Sequence, residues 1–226
     1  MQETIQQLSA KVKLNIDWAR RNLTEMIYDQ AILEGVATTR ADTEAIITGG
    51  LVQNMTAEDI VKTRNLKRAW DFILTPETLW SPTDFALLSQ INRLVEETFY
   101  YTAGQVRTVP VTIGGTTWQP PIPIESQIKE ELIAWQQRAT VKKPIEAAID
   151  LLLYVMRRQI FLDGNKRTAV LTANHYLIAR AAGLMVISET LVAAFKKLLV
   201  AYYESGDETV IGEFLRRRCW QKMSSA

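Results

Sequence analysis

A repeated helical spacing of apolar residues is the feature of this sequence that most constrains its fold. In one segment the apolar side chains recur every three or four positions, which places them on one stripe of a helix: Ile145, Ala148, Ile149, Leu152, Leu153 and Met156. The same spacing predicts helices over about residues 4–30, 41–48, 57–74, 83–99, 125–138, 166–182, 188–204 and 208–221. We therefore predict an all-α fold in which these stripes pack against one another.

Only short breaks separate the predicted helices. Pro144 suits the first turn of a helix, and Thr56 is a good N-cap residue ahead of an acidic first turn. The break at Gly49-Gly50 does not resemble a flexible linker. We predict one domain over residues 1–226, with residues 1–50 as an integral helical extension.

Charge and cysteine content exclude several functional classes. The 226 residues include 26 basic and 25 acidic side chains, so the formal charge of +1 provides no general field for nucleic acid or acidic membranes. Cys219 is the single cysteine, which rules out an intramolecular disulfide, and we expect it to be a small buried residue. No apolar stretch has the length of a membrane span or the form of a signal peptide. We expect a cytoplasmic protein without nucleic-acid or membrane partners.

Residues 106–118 depart from the helical pattern. They are rich in β-branched residues and contain Gly114-Gly115, which predicts a small β-hairpin turning at the two glycines. Because a lone hairpin buries little surface, two interpretations stay open. The segment is either a packed surface loop or an exposed edge that pairs with an extended partner.

The loop at residues 159–168, between two predicted helices, has the composition of an anion-binding site. The first amides of a helix lack internal acceptors and can bind an anion, and Gly164 has no Cβ to obstruct it. Lys166 and Arg167 add positive charge, and an arginine can grip two phosphate oxygens. Asp163 would repel phosphate unless Mg²⁺ lies between them, so the loop also suggests a metal. The alternative is a capped turn with solvated basic side chains.

At this point the residues resemble a known family. Phe161-x-Asp163-Gly164-Asn165-Lys166-Arg167-Thr168 looks like the signature of Fic and Doc (Fido) proteins. The sequence VTIGGTTWQPP is similar to the target-docking flap of that family, and Ala31-Ile32-Leu33-Glu34-Gly35 resembles its inhibitory helix. The resemblance covers nearly the whole chain in the expected order and implies the Fic helical fold with a small hairpin flap.

The resemblance implies a function and a set of site residues. Fic proteins usually transfer AMP from ATP to a hydroxyl of a target protein (AMPylation), whereas Doc-like members transfer a phosphate. In this chain the implied roles are Mg²⁺ binding by Asp163 and phosphate or nucleotide binding by Gly164, Asn165, Lys166 and Arg167.

The resemblance also implies partners. The flap residues Val111, Thr112, Ile113, Gly114 and Gly115 would hold a target segment by strand pairing, and Glu34 with Gly35 would inhibit the site. An antitoxin partner, self-inhibition and a homodimer are all compatible with the family.

Three departures from the family pattern put activity in question. Gln159 stands where the family has its catalytic histidine, and a glutamine amide cannot accept a proton near neutral pH. Lys166 replaces the usual glycine of AMP-transferring members, as in Doc-type motifs, and Val170 replaces a second arginine that would anchor Glu34. His175, the only histidine, is expected to be a hydrogen-bonded structural residue rather than a substitute base.

Three functional hypotheses follow. The chain is an impaired AMP-transferring enzyme, a catalytically inactive nucleotide- or peptide-binding pseudoenzyme, or a Doc-like protein phosphotransferase.

Overall fold

The structure is a computed structural model that describes residues 9–222. The N-terminal part contains helices α1 Ala10–Arg21, α2 Leu23–Leu33, α3 Arg40–Thr48 and α4 Ala57–Ile73. The middle contains α5 Pro76–Trp80, α6 Phe85–Val95, α7 Glu125–Ala139, α8 Pro144–Arg158 and α9 Asn165–Ala179. The remainder contains a 3-10 turn at Glu189–Leu191, α10 Val192–Ser205, α11 Thr209–Phe214 and a π-helical turn at Leu215–Cys219.

Most predicted helices are present close to their expected limits. The N-terminal helix expected over residues 4–30 is divided at Asn22 into α1 and α2, and residues 4–8 lie outside the described part. Thr56 caps α4 by accepting a hydrogen bond from the Asp59 amide at 3.1 Å, and Pro144 occupies the first turn of α8. The sequence rules for helix starts therefore hold at these sites.

The all-α prediction with a small antiparallel β element is confirmed, but the element lies elsewhere in the chain. Strands β1 Leu184–Met185 and β2 Trp220–Gln221 form it. The pairing expected within residues 106–118 is not formed, although the chain does turn at Gly114-Gly115. This is a correction to the predicted hairpin.

Hydrogen bonds to side chains, one within the segment and one from α10, explain why those two arms do not pair. The buried Arg107 guanidinium donates hydrogen bonds to the carbonyl oxygens of Val109 at 2.7 Å and Pro121 at 2.7 Å. On the other arm, the Glu204 carboxylate accepts from the Thr117 amide at 2.8 Å. Backbone groups that a hairpin would pair are thus bonded to side chains, and Pro110 has no N–H to contribute.

Helix α9 is the centre of the molecule, since almost every side chain along it is buried. Ala169, Ala173 and Leu177 join a hydrophobic cluster with α7, α8 and α10. Leu171 and Ile178 join a second cluster with α1, α2, α4 and α6. The loop that precedes α9 is therefore attached to a helix packed on all sides.

Two smaller expectations can be checked directly. Cys219 is a free, fully buried cysteine as predicted, and burial raises the pKa of its thiol to about 12. Among the helices of residues 9–222, none combines the length and the apolar character that crossing a bilayer requires.

Candidate anion-binding site

The loop between α8 and α9 is fixed by its own hydrogen bonds. Gln159 ends α8 in the left-handed region at φ 46°, and Gly164 precedes α9 at φ 72°. The Asn165 side chain closes the loop, because its Oδ1 accepts from the Phe161 amide at 3.0 Å and its Nδ2 donates to the Phe161 carbonyl at 2.8 Å. The chain is thus held in place before any ligand binds.

The start of α9 has the geometry expected of an anion cradle. The Thr168 amide donates to the Gly164 carbonyl at 2.8 Å, which opens the helical hydrogen-bond ladder. The preceding amides, at residues 165–167, come before that first bond and have no acceptor within the helix. The Gly164 amide itself donates to Asp163 Oδ1 at 2.7 Å. Three amides at the positive end of the helix dipole therefore remain for an anion.

Arg167 is a buried cation with two uncommitted donors. Its side chain is 2% exposed, and its Nη2 lies 2.8 Å from Glu96 Oε1. The other carboxylates are farther away, with Asp163 Oδ2 at 3.6 Å from Nη2 and Glu34 Oε2 at 3.7 Å from Nε. Nε and Nη1 are buried and make no hydrogen bond within the described chain. Buried donors of this kind suit the oxygens of an anionic ligand.

Glu96 is a site residue that the sequence analysis missed. Its side chain is 2% exposed. Burial raises its pKa to about 7, Asp163 and Glu34 add repulsion, and the attraction of Arg167 opposes the shift. A Cβ on Gly164 would lie 2.4 Å from Glu96 Oε1, so the carboxylate fills the space that the sequence analysis assigned to phosphate. The lack of a Cβ at Gly164 is needed for this protein contact.

Asn92, one turn before Glu96 on α6, joins the loop to its surroundings. Its Nδ2 lies 2.9 Å from the Asp163 carbonyl and 3.1 Å from Thr168 Oγ1, and its Oδ1 accepts from the Gly104 amide at 2.9 Å. The i, i+4 spacing of Asn92 and Glu96 was the available sequence signal, because it places both on one helical face. Nothing in that spacing tells which face is buried.

The inhibitory-like segment lies directly against the loop. Glu34 ends α2 ahead of Gly35, which has φ 80°, and its Oε2 lies 3.5 Å from Lys166 Nζ as well as near Arg167. Gln30 donates to the Arg167 carbonyl at 3.0 Å and accepts from Trp70 Nε1 at 3.1 Å. Val170 is buried in the same hydrophobic cluster as Leu33. Glu34 thus faces two cations although residue 170 is not an arginine.

The Gln159 side chain is engaged at both ends. Its Nε2 donates to the Met156 carbonyl at 2.6 Å, and its Oε1 accepts from Asn165 Nδ2 at 3.2 Å. Burial raises the pKa of the adjacent Tyr203 phenol, so that hydroxyl stays protonated at neutral pH. Neither group can take a proton from an attacking hydroxyl.

Asp163 fits a metal that arrives with its ligand. Its carboxylate is 49% exposed at the mouth of the loop. Within residues 9–222 no cluster of three histidine, cysteine or acidic side chains has the spacing of a metal site. Mg²⁺ often binds through one or two carboxylates together with phosphate oxygens and water. The single exposed carboxylate suits that mode rather than a protein cage.

The flap segment contacts the loop through Arg107, whose amide donates to the Ile160 carbonyl at 3.0 Å. Val111, Thr112 and Ile113 form no regular secondary structure, and Trp118 stacks on Tyr203 of α10 with ring centroids 6.0 Å apart. A cleft of about 270 Å³ separates the first arm of the flap from the loop tip, with Leu162 and Tyr101 in its wall. An extended segment could occupy that cleft.

His175 does not belong to this site. It is fully buried in α9, its Nε2 lies 2.8 Å from the Thr78 carbonyl and its Nδ1 lies 3.1 Å from Thr83 Oγ1. Burial lowers the pKa of the imidazole. Both ring nitrogens are engaged by the segment that precedes α6, as expected of a structural histidine.

Comparisons with known proteins agree with this geometry. Residues 82–177 match the family model described as Fic/DOC family, a segment that includes Glu96, the flap and the whole loop. A comparison with curated proteins found no match.

Several solved structures share the fold. A Fic-domain-containing signaling protein from Bacteroides thetaiotaomicron gives a TM-score of 0.72 at 19% identity, over 87% of this chain and 77% of that one. Fic-1 from C. elegans gives 0.72 at 21% identity, over 95% and 64%. A Fic family protein from Desulfovibrio desulfuricans gives 0.73 at 19% identity, over 94% and 67%. At these identities the likeness shows a common fold.

Proposed function

We propose that this chain is a member of the Fic/DOC family, whose model matches residues 82–177, and that its site binds ATP with Mg²⁺ and transfers AMP to a hydroxyl of a target protein. The observation that carries the proposal is Arg167: its buried Nε and Nη1 have no acceptor among residues 9–222, and they belong to the first turn of α9. A triphosphate would supply oxygens to these donors and to the amides at the start of α9. Lys166 adds a second cation at the same helix start.

The reaction would form a bond between the target hydroxyl oxygen and the α-phosphorus and break the bond from that phosphorus to the β-phosphate oxygen. Pyrophosphate leaves, and the hydroxyl proton goes to water or to the departing pyrophosphate, since neither Gln159 nor Tyr203 can accept it. Bound Mg²⁺, held by Asp163, would neutralise charge on the phosphates. The helix amides and Arg167 would orient the nucleotide, which is where phosphoryl-type transfer gains much of its rate.

Gln159 limits this activity. General-base catalysis typically contributes about two to four decades of rate, and the engaged amide of Gln159 cannot supply it. We therefore propose slow transfer by the chain with Gln159, sustained by positioning and charge neutralisation.

The test is transfer of label from α-³²P-ATP to lysate proteins by the wild type and by Gln159→His. Histidine tolerates the left-handed backbone found at position 159, so the substitution preserves the loop. We expect labelling by Gln159→His to exceed the wild type by roughly a hundredfold. No labelling by either protein, despite measurable ATP binding, would contradict AMP transfer.

A second candidate is a nucleotide-binding protein without chemistry, favoured by the hydrogen bonds that hold both ends of the Gln159 amide. It predicts ATP binding with no labelling by the wild type at any enzyme concentration. Doc-like phosphate transfer is the third candidate, and γ-labelled ATP separates it from AMP transfer because only γ-label would then reach the target.

Partners follow from the segments around the site. The backbone of residues 111–113, which is not paired in a sheet, and the cleft beside residues 106–109 support docking of a target strand next to the loop. The contacts of Glu34 with Lys166 and Arg167 support self-inhibition.

A further inference from the structure

Arg167 has one close anionic partner, and it is Glu96. The Nη2–Oε1 distance of 2.8 Å compares with 3.6 Å to Asp163 and 3.7 Å to Glu34. Arg167 and Glu96 are each 2% exposed, so water screens their attraction little. The guanidinium is planar and rigid, which means that fixing one nitrogen also limits where Nε and Nη1 point.

Glu96 is itself held firmly. It follows the last residue of α6, and its amide donates to the Asn92 carbonyl at 2.9 Å. Asn65 of α4 bonds the carbonyl oxygens on either side of it, those of Val95 at 3.2 Å and Glu97 at 2.7 Å. The carboxylate rests beside the Cα of Gly164, where no Cβ intervenes. A carboxylate with such support can act as a fixed reference point for its partner.

Loss of this contact would make the Nε and Nη1 donors of Arg167 less available to a ligand. Asp163 and Glu34 lie within 4 Å of the guanidinium, and either could draw it into a closer pair. Its free donors would then serve protein carboxylates instead of phosphate oxygens.

We propose that Glu96 is a positioning residue, which holds the Arg167 guanidinium so that Nε and Nη1 remain available to the nucleotide phosphates. This inference rests on the proposed function, since it assigns a role toward the same ligand.

The test compares Glu96→Gln with Glu96→Met by calorimetry with ATP and Mg²⁺. Both substitutions remove the charge and keep the length of the side chain, but only glutamine retains an oxygen opposite Arg167 Nη2. We expect Glu96→Gln to bind about tenfold more tightly than Glu96→Met. The matched control is Glu97, whose 40%-exposed side chain pairs with Arg68, and Glu97→Gln and Glu97→Met should bind alike.

A second readout does not depend on nucleotide. The Nε–Hε NMR signal of Arg167 should resemble the wild type in Glu96→Gln and be shifted or broadened in Glu96→Met. If Glu96→Met does not fold, Glu96→Asp replaces it, because the carboxylate is then one methylene too short. That variant should bind ATP more weakly than the wild type.

The outcomes separate this inference from the function it rests on. Equal ATP affinities of the Glu96 pair, with Arg167→Ala still weakening binding, would overturn the role of Glu96 alone. An unchanged affinity in Arg167→Ala would instead contradict the proposed function. The NMR comparison of Glu96→Gln with Glu96→Met then still tests the positioning role of Glu96. Identical Arg167 Nε–Hε signals in the two variants would overturn that role.

Discussion

At the scale of single residues, the site balances opposite charges around the buried Arg167. Two cations, Lys166 and Arg167, face three carboxylates, those of Glu34, Glu96 and Asp163. The excess of carboxylates opposes the entry of a polyphosphate, and an added cation or the displacement of a carboxylate would relieve that repulsion. For this reason we propose that Mg²⁺ binds together with ATP and that Glu34 moves away when the nucleotide binds.

The contact between Gly164 and Glu96 can be tested by Gly164→Ala. The new Cβ would overlap Glu96 Oε1, and alanine is strained at φ 72°. We expect the free energy of unfolding to fall by about 1–3 kcal/mol, measured by urea denaturation. Gly114→Ala is the control, since nothing lies within 4 Å of its Cβ position, and it should change stability little. Equal effects of the two substitutions would contradict the assigned contact.

The buried Glu96 carboxyl predicts a pH dependence of stability. Its pKa of about 7 in the folded protein lies above the ordinary value of 4.5, so the folded state holds a proton that the unfolded state has lost between these values. The free energy of unfolding should therefore fall as pH rises from about 5 to about 7, by on the order of 2 kcal/mol. Glu96→Gln should show a smaller fall.

Asp29 is present in both proteins of that comparison. Burial raises its pKa to about 6, so it contributes a fall of the same sign. The difference between the two denaturation series therefore isolates Glu96. Identical pH profiles for the wild type and Glu96→Gln would rule out a raised pKa at Glu96.

At the scale of elements, α2, α6 and the loop before α9 meet at one point. Helix α2 supplies Glu34 and Gln30, and α6 supplies Asn92 and Glu96. The second arm of the flap is hydrogen-bonded to Glu204 of α10 and does not pair with the first arm. Because α2 ends beside Lys166 and Arg167, its position affects how open the start of α9 is to a ligand.

Glu34→Gln tests whether α2 restrains the site. Removing the negative charge near Lys166 and Arg167 should strengthen binding of ATP with Mg²⁺ by about threefold to tenfold, measured by calorimetry. Glu44→Gln on the exposed face of α3 is the control and should leave the affinity unchanged. Weaker binding in Glu34→Gln would show that Glu34 assists the ligand instead of opposing it.

The features that could be predicted from the sequence are those that depend on residues close together in the chain. The helices, the Thr56 cap and the loop follow from spacing and residue type within a few positions of each other. Burial of Glu96 and the bond from Glu204 to the flap depend on contacts between distant segments, which no local pattern records. The hairpin pairing was predicted wrongly for the same reason.

At the scale of the whole molecule, the N-terminal helices share a hydrophobic cluster with residues 82–177, the segment that matches the family model. Ile27 of α2 is fully buried in the cluster that also contains Leu171 of α9. Leu152 of α8 is fully buried in the other cluster. Both clusters contact α9, so the two halves should unfold together.

Ile27→Ala and Leu152→Ala test that cooperativity by calorimetric scanning. Each should lower the free energy of unfolding by about 2–5 kcal/mol while leaving a single transition. A separate early transition in Ile27→Ala would mean that the N-terminal extension is an independent unit.

The central claim is that Arg167 and the amides of α9 bind nucleotide phosphates, and calorimetry with ATP and Mg²⁺ tests it most directly. Arg167→Ala should weaken binding by about tenfold to a hundredfold, because it removes charge-assisted hydrogen bonds. The control is Arg217→Ala, whose side chain is 75% exposed and pairs with Glu213, and it should bind like the wild type. Equal affinity in the wild type and Arg167→Ala would contradict the claim.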